Sequence, residues 1–475
     1  MVERMIKLFN KTSVVYISAL ACLFFSSLVM AQLPYRTVTF SVDSRLLTQG
    51  VTGKAGAVEG PSVFTEVIRV DGAPWLRVRI SEYNLGQQSY ITFTSVKDGG
   101  RQRLDGKTLP QWGNTSAYLN GDAVEVALHV APGEQGIFFR VEEITVGEWY
   151  QPPLSAKTIC GTDNRVPSSD ARTARLTFVN ALGNPGSACT AWLVSNGALL
   201  TAGHCVDFDP DRSGPLLPDG VLDLDNNDVI EFATPASLAD GTLVFANPDD
   251  QYAIDLPTVV WSFDGSGQGL GKDWAALAVF PNPNTGLTPF QAQGAFFRMT
   301  NANPSVGIDI QITGYGTDNT PNLTRNQTQQ TQTGPYVGES SSGANFWHRY
   351  ATDTTGGNSG SPIIWNSSIY TVGIHTNGGC TATGGSNAGT SFEHNPLETA
   401  LENFPGANTV FTDLTRWGAS ENGTVFHPYD TIGESVGAVP SGGIISIVKG
   451  TYNENMTINQ AVTLDAPVGT VTLGN

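Results

Sequence analysis

Three residues in this chain could together catalyse acyl transfer: His204, Asp273 and Ser359. A serine hydroxyl becomes an effective nucleophile when a histidine accepts its proton, and a carboxylate can hold that histidine in the required tautomer. We therefore predict a triad in which Ser359 attacks, His204 transfers the proton and Asp273 orients His204. Asp255 is a weaker choice for the acid, because it lacks the apolar run that follows Asp273.

The segment around Ser359 is rich in glycine, which allows a sharp turn that would present the serine hydroxyl. The backbone N–H groups of Gly357 and Ser359 would then point at the oxyanion that develops on the attacked carbonyl group. Ser361 is an alternative nucleophile, but it precedes Pro362 and lies outside the Gly-x-Ser-Gly pattern. We therefore predict Ser359 as the nucleophile, with Gly357 and Ser359 forming the oxyanion hole.

The composition indicates a β-rich chain of several domains. The 475 residues include 53 glycines and 27 prolines, and only 14% of them are charged, which favours many short strands joined by turns. The net charge of −18 argues against nucleic acid and anionic membranes as partners, because both require basic patches. No CxxC or HxxxH spacing supports a metal site, and we expect no cofactor.

The N-terminal residues resemble a secretory signal. Basic residues precede a mostly apolar stretch at 14–30, and small residues indicate cleavage between Ala31 and Gln32. An uncleaved membrane anchor is the alternative, and a lipoprotein site at Cys22 is a weaker one. We therefore predict a signal peptide over 1–31 and a secreted protein with no membrane contact after its removal.

Four cysteines remain after the signal peptide: Cys160, Cys189, Cys205 and Cys380. An even number in an exported chain indicates disulfides, although metal ligation is a competing interpretation. Cys189 and Cys205 flank the His204 segment, and a bond between them would close a small loop beside it. Cys160 and Cys380 are then left to pair with each other.

The first part of the mature chain, residues 32–150, has the pattern of a β-sandwich. Apolar and polar residues alternate at 75–80 and again at 123–128, as they do in half-buried strands. His129 is the only histidine in this part and receives no catalytic role. Residues 151–157 contain two consecutive prolines and are predicted to be a stiff linker.

Residues 158–404 contain all three triad segments and are predicted to form one domain of short strands. Its last residues, 395–402, have helix signals, with Asn395 as the expected N-cap and Pro396 in the first turn. Residues 405–475 form a tail of very short strands that resembles a parallel β-helix coil, with an ordinary β-hairpin as the alternative. A lone coil cannot bury its own faces, so the tail would contact another domain or a surface polymer.

The triad segments resemble those of trypsin-like (chymotrypsin-fold) serine proteases, in the family's order of histidine, aspartate and serine. The resemblance covers about 158–404. It implies an all-β double barrel, an acyl-enzyme mechanism, and protein or peptide substrates. The closer resemblance is to bacterial glutamyl endopeptidases, because Asn358 precedes the serine and residues 372–375 read Val-Gly-Ile-His. Residues 159–165 are similar to the start of the mature chains of those enzymes.

The resemblance to glutamyl endopeptidases implies that Thr354 and His375 contact the carboxylate of the substrate's P1 side chain. A hydroxyl and a cationic or donating imidazole suit an anion. Asp353 is a competing feature, because it stands where trypsins carry the aspartate that selects lysine and arginine. Some family members also use a free mature N-terminal amine, and the mature start of this chain is undefined. Acidic, basic and other P1 preferences therefore all stay open, with the acidic one favoured.

The sandwich before the protease segments suggests two roles. It is either a prodomain removed by cleavage within 150–158, or a permanent accessory domain. The protein as a whole could instead be a secreted polymer-binding protein with a vestigial triad. An esterase without peptidase activity is a further class, but it would normally show another order of triad residues.

Overall fold

The computed structural model describes most of the chain. The described residues are 31–33, 35–46, 62–149, 157–177, 186–207, 220–265, 269–319, 322–366, 370–416, 418 and 420–474. The predicted signal peptide, apart from Ala31, and most of the predicted linker lie outside these residues. In the described part, no helix is long and apolar enough to cross a membrane.

Two four-stranded antiparallel sheets pack face to face in the N-terminal part, as the β-sandwich prediction requires. The strands up to this point are β1 (Ala31–Leu33), β2 (Tyr35–Asp43), β3 (Ser62–Arg69), β4 (Trp75–Asn84), β5 (Tyr90–Ser95), β6 (Arg101–Asp105), β7 (Leu119–Asn120), β8 (Ala123–His129) and β9 (Phe138–Gly147). The sheet orders are β2-β9-β4-β7 and β3-β8-β5-β6. Ile91, Phe93, Val126 and Leu128 point into the core between the sheets, which explains the alternation seen in the sequence.

The next strands form a closed six-stranded barrel. They are preceded by β10 (Lys157–Thr158) and β11 (Val166–Pro167), and they comprise β12 (Thr173–Thr177), β13 (Gly186–Leu193), β14 (Leu199–Thr201), β15 (Val229–Glu231), β16 (Gln251–Ser262) and β17 (Trp274–Val279). The order is β13-β12-β15-β16-β17-β14, and β14 pairs back with β13 to close the ring. β1 adds to the edge of β13. His204 follows β14 and Asp273 precedes β17, and β14 and β17 are paired neighbours.

A second closed barrel follows. Its strands and those beside it are β18 (Arg298–Met299), β19 (Asp309–Gly314), β20 (Gln330–Ser342), β21 (Asn345–Tyr350), β22 (Thr354–Thr355), β23 (Pro362–Trp365), β24 (Tyr370–Asn377) and β25 (Asn387–Ser391). The order β20-β19-β23-β24-β25-β21 closes through the pairing of β21 with β20. The double barrel confirms the predicted chymotrypsin-like fold. Trp192 and Leu200 of the first barrel share a core with Ile364 and Ile374 of the second, so the triad segments lie at the junction of the two.

The helices are short. They are α1 (Pro289–Gln293), α2 (Asn395–Glu402) and α3 (Ile432–Ala438), with single 3-10 turns at Ser44–Leu46, Pro110–Trp112, Gly203–Cys205, Pro248–Asp250 and Leu323–Arg325. α2 spans the predicted residues, but its N-cap is His394, so the prediction of Asn395 as N-cap was wrong by one position. The N-cap residue has extended backbone, and His394 adopts that conformation with φ −73° and ψ 103°. Leu397 and Leu401 anchor the helix in the core between the barrels.

The tail contains parallel strands. They are β26 (Thr409–Thr412), β27 (Ile444–Ile447), β28 (Gly450–Tyr452), β29 (Thr463–Asp465) and β30 (Val471–Leu473), with sheet orders β26-β27-β29 and β28-β30. Stacked parallel pairs are the arrangement that a β-helix coil requires, and the β-helix itself stays a prediction. Val448 and Val468 enter the core of the first barrel, while Phe411 and Phe426 enter the core between the barrels. The tail therefore packs on the double barrel.

Candidate active site

His204 and Asp273 form a buried hydrogen-bonded pair. His204 lies in the 3-10 turn after β14, and its Nδ1 is 2.6 Å from Asp273 Oδ2. The other carboxylate oxygen, Oδ1, accepts the backbone N–H of His204 at 3.0 Å. Both side chains are 1% exposed. The two contacts fix the position and the tautomer of the imidazole, because Nδ1–H donates to the carboxylate and leaves the lone pair on Nε2.

Thr390, which the sequence analysis missed, connects Asp273 to the second barrel. It lies on β25, and its hydroxyl donates to the Asp273 carbonyl at 2.8 Å and accepts the Asp273 N–H at 3.2 Å. The second barrel therefore holds the backbone of Asp273, while the carboxylate contacts His204 of the first barrel. No local motif marks Thr390, because its proximity to Asp273 depends on how the two barrels dock.

At two positions, the loop that carries Ser359 has a backbone conformation with positive φ that favours glycine. Gly357 has φ 97° and Gly360 has φ 88°. A Cβ at Gly357 would meet the Tyr315 carbonyl at 2.5 Å, and one at Gly360 would overlap the Thr190 carbonyl. The Ser359 carbonyl accepts the Thr190 N–H at 2.8 Å. These contacts attach the loop to strand β13 of the first barrel and so hold Ser359 beside the His204 turn.

The reactive atoms are not occupied by other groups. Among the described residues, His204 Nε2 is buried without a hydrogen-bond partner, and the Ser359 hydroxyl makes no hydrogen bond. The Sγ atom of Cys205, next to His204, lies 3.9 Å from the Ser359 carbonyl oxygen. The base and the predicted nucleophile therefore lie on adjacent segments, and neither His204 Nε2 nor Ser359 Oγ is bonded to another described residue. In ligand-free sites the bond between such groups is often long and tightens only when substrate binds.

The backbone N–H groups of Gly357 and Ser359 are also free within the described part of the chain, whereas their neighbours are bonded. The Asn358 N–H donates to the Thr355 carbonyl at 3.0 Å, and Asn358 Oδ1 accepts the Thr355 N–H at 3.0 Å. This reciprocal pair fixes the loop and leaves two unpaired donors next to the serine. Two such donors can stabilise an oxyanion.

His375 lies on β24 and is held by a tyrosine from β21. The Tyr350 hydroxyl is 2.6 Å from His375 Nδ1, and both residues are buried. Burial and repulsion from His204 lower the pKa of His375 to about 3, against a weaker opposing effect of the Ala388 carbonyl. Of the two states that the sequence left open, a cationic and a donating imidazole, the lowered pKa favours the neutral one at neutral pH in the free protein. His375 is a neutral hydrogen-bonding group, because its cation would lose its hydration.

Thr354 is buried and its hydroxyl is already bonded to two groups. It is 2.8 Å from the Thr158 hydroxyl and accepts from Asn387 Nδ2 at 3.0 Å. Asn387 Nδ2 also donates to the Thr158 carbonyl at 2.9 Å. The N-terminal segment of the protease domain, on β10, is thus part of the same hydrogen-bond network as Thr354. Thr158 and Asn387 were not predicted, because nothing in the local sequence shows that β10 pairs with β22.

Asp353 uses both of its carboxylate oxygens on backbone groups. Oδ1 accepts the Cys160 N–H and Oδ2 accepts the Asn164 N–H, each at 2.8 Å. The side chain is 2% exposed. A carboxylate committed to two amides in this way serves the fold of the 160–164 segment rather than a free cation at the base of a pocket.

Both predicted disulfides occur. Cys189 bonds to Cys205 beside the His204 turn, and Cys160 bonds to Cys380 across 220 residues of sequence. The second bond fixes the 160–164 segment next to the second barrel.

Comparison with known proteins gives the class of the domain that carries this site. Residues 189–374 match the model of the trypsin-like peptidase domain, and this part of the chain is a trypsin-like peptidase domain. The chain is similar to the glutamyl endopeptidase of Bacillus licheniformis, with 25% identity over 276 residues that cover 56% of this chain and 70% of the relative. It is also similar to an extracellular metalloprotease of Bacillus subtilis (strain 168), with 25% identity over 237 residues that cover 48% of this chain and 64% of the relative. The chain thus spans less than two thirds of the length of that second relative.

Two solved structures are similar to part of the chain. A Glu endopeptidase in complex with MPD shares 20% identity at a TM-score of 0.36, covering 52% of this chain and 99% of that structure. The thermostable serine protease AL20 from an extremophilic microorganism shares 19% identity at a TM-score of 0.35, covering 49% of this chain and 99% of that structure.

The described residues at this site do not fit a metal ion, although one relative is named a metalloprotease. Cys189, His204 and Cys205 converge here. The two sulfur atoms are bonded to each other, so neither is a thiolate, and His204 Nδ1 faces Asp273. A metal at this place would have only the remaining imidazole nitrogen as a ligand.

Proposed function

We propose that this chain is a secreted serine endopeptidase that hydrolyses peptide bonds through an acyl-enzyme on Ser359. The observation that carries the proposal is the buried Asp273–His204 pair, whose Nε2 has no hydrogen-bond partner among the described residues and whose neighbour Cys205 lies beside the Ser359 loop. Secretion is supported by the two disulfides and by the extracellular name of one relative. Its substrates are proteins or peptides, as expected of a trypsin-like peptidase.

The reaction would proceed in two halves. His204 Nε2 takes the proton of Ser359 while Oγ attacks the scissile carbonyl carbon, and the N–H groups of Gly357 and Ser359 stabilise the oxyanion. The His204 cation then gives that proton to the departing amine. Water enters, loses a proton to His204 and attacks the carbonyl carbon of the acyl-enzyme. The bond between that carbon and Ser359 Oγ then breaks, His204 returns the proton to Oγ, and the acid is released. The carboxylate of Asp273 stabilises the imidazolium.

The P1 preference is proposed to be for glutamate or aspartate. His375 supplies a hydrogen-bonding group beside the Ser359 loop, and the relative from Bacillus licheniformis is named a glutamyl endopeptidase. Thr354 lies in the same network and would have to exchange its bond to Thr158 for one to the substrate. Tyr350 stays protonated, because burial raises the pKa of its hydroxyl well above the ordinary value. Its O–H can therefore donate to His375 Nδ1, so that neutral His375 carries its own proton on Nε2 as a donor for a carboxylate.

Asp353 opposes this preference less than a free carboxylate would. Its charge is committed to the amides of Cys160 and Asn164, which partly offset its repulsion of an acidic side chain.

Two measurements test the proposal. A serine-reactive phosphonate should label wild-type protein at Ser359 and should fail to label Ser359→Ala. A P1-randomised peptide library should then be cut after Glu and Asp. An unlabelled Ser359 in correctly folded protein would instead favour the polymer-binding alternative. Efficient cleavage after Arg with none after Glu would overturn only the P1 assignment.

A further inference from the structure

The sandwich and the first barrel share one hydrophobic core. The sandwich residues form a buried cluster that also contains Val229, Leu243, Phe245 and Ala253 of the first barrel. The first barrel therefore lacks a complete apolar covering on this side without the sandwich. Apolar surface of this kind, exposed to water, costs roughly 25 cal/mol per Å².

Phe245 is the centre of this contact. Its ring stacks on Tyr118 of the sandwich with centroids 4.2 Å apart and an angle of 4°, and it meets Trp75 edge-on at 5.3 Å. The guanidinium carbon of Arg175, from the barrel, lies 5.3 Å from the same ring. Arg175 is itself fully buried in an ion pair with Glu231 at 2.8 Å. The sandwich thus seals a buried charged pair of the barrel as well as an aromatic side chain.

Reciprocal hydrogen bonds accompany the aromatic contact. Gln251 Nε2 donates to the Tyr118 carbonyl at 2.9 Å, and Gln251 Oε1 accepts the Tyr118 N–H at 3.0 Å. Asn120 makes the matching pair with the backbone of Phe245, at 3.0 and 2.9 Å. All four bonds are buried. Removing one partner of such a bond would leave the other buried and unpaired, which costs about 1–3 kcal/mol.

This interface lies away from the catalytic residues. Among the described residues, none of the hydrogen bonds or ring contacts of His204, Asp273 and Ser359 involves the sandwich ranges 35–46 and 62–149. A pro-segment that inhibits by covering the site would contact at least one of them. The sandwich instead contacts β15, β16 and the 243–247 segment.

We infer that the sandwich, residues 35–149, is a permanent non-covalent partner of the first barrel. It completes the folding core of the catalytic unit, stays bound when the connecting segment is cut, and does not inhibit. Of the two roles that the sequence suggested, the structure thus favours the permanent accessory domain. Hydrolysis at the linker would give a two-chain enzyme rather than a shortened one.

The test uses the full chain with residues 151–156 replaced by the recognition sequence of a site-specific protease. After complete cleavage, both fragments should co-elute from a non-denaturing size-exclusion column at the mass of the uncut protein. The rate of phosphonate labelling at Ser359 should stay within about twofold of the uncut protein, because the catalytic residues do not contact the sandwich. Separate elution of the fragments, or a labelling rate that rises at least tenfold on release, would overturn the inference.

Variants sharpen the test. In the cut protein, Asn120→Ala and Phe245→Ala should each raise the dissociation constant of the fragments by at least about tenfold, which corresponds to about 1.4 kcal/mol. The matched control is Val67→Ala on β3, a residue that is 44% exposed, and it should leave the fragments associated. If Phe245→Ala fails to fold, Asn120→Ala supplies the comparison. Because co-elution can be measured in Ser359→Ala protein, failure of the inference and failure of the proposed protease activity give different results.

Discussion

The hydroxyl of Thr390 bridges the backbone N–H and carbonyl of Asp273, so a residue of the second barrel fixes the acid supplied by the first. Thr390→Val should lower kcat about tenfold or more, because the carboxylate and the His204 ring would lose their alignment. Thr390→Ser keeps the hydroxyl and should restore most of the rate. A Thr390→Val variant with wild-type kcat would show that docking of the barrels alone positions Asp273.

Asp273→Asn should reduce kcat by about 10⁴, since an amide cannot hold the tautomer of His204 or stabilise its cation. KM should change little, because Asp273 is buried behind His204 and would not contact substrate. Asp255→Asn is the matched control, and steady-state kinetics on one peptide substrate would compare the two. A large loss for Asp255→Asn with a small one for Asp273→Asn would reverse the assignment of the acid.

Tyr350→Phe should raise KM for a substrate with P1 glutamate about fivefold, because a buried hydrogen bond of this kind contributes about 1 kcal/mol. The KM for the same peptide with P1 glutamine should change less, since a neutral side chain depends less on the orientation of His375. Tyr336→Phe is the control, because Tyr336 makes a similar bond to a different histidine, His348, at 2.8 Å. Equal effects of both variants on both substrates would indicate a general packing role.

Asp353→Asn should destabilise the protein by about 1–3 kcal/mol, since one of its two amide partners loses a carboxylate acceptor. Its P1 profile should stay acidic and should gain no cleavage after lysine or arginine. Thermal unfolding and the peptide library measure the two effects separately. If the wild-type enzyme cleaved after arginine and the Asp353→Asn variant did not, the Asp353 carboxylate would be shown to bind the P1 side chain.

Stability should fall in acid because two histidines of the second barrel are buried in neutral form. Burial lowers the pKa of His348 from 6.5 to about 4, and the pKa of His375 is lowered to about 3. The unfolded chain binds these protons below about pH 6.5 and the folded protein does not, so stability decreases as the pH falls from 6.5 towards 4 and 3.

The melting temperature measured from pH 8 to pH 4 tests this dependence. His348→Gln should show a shallower decline than wild type, and comparison of the two proteins at pH 8 separates the packing loss from the effect of protonation. Identical slopes in both proteins would contradict the assignment.

Local sequence was sufficient to predict the segments around His204, Asp273 and Ser359, because each carries its own glycine or strand-end pattern. It also predicted the alternating strands of the sandwich and both disulfide pairings. It did not reveal Thr390 or Tyr350, whose contacts depend on the register of β21 and β25 within a closed barrel. Such contacts join residues far apart in the chain, and a window of adjacent residues contains no signal for them.

The relation between the sandwich and the barrel was beyond sequence reasoning for a similar reason. Tyr118 and Phe245 each look like ordinary core residues of their own domains, and only the packed structure shows their rings stacked. The sequence left open whether the His375 imidazole is cationic or a neutral donor, because it does not show how deeply the ring is buried. In the free protein, burial determines its protonation state.

The Cys160–Cys380 disulfide has a consequence for cleavage of this protein by other copies of itself. It spans 220 residues of sequence, which include His204, Asp273 and Ser359. A single autolytic nick in a surface loop between these cysteines would leave the two pieces covalently joined. Nicked molecules would therefore migrate as one species without reductant and as two with it, and they would keep the triad assembled. The disulfide thus keeps the two pieces of the catalytic unit together after a single autolytic cleavage.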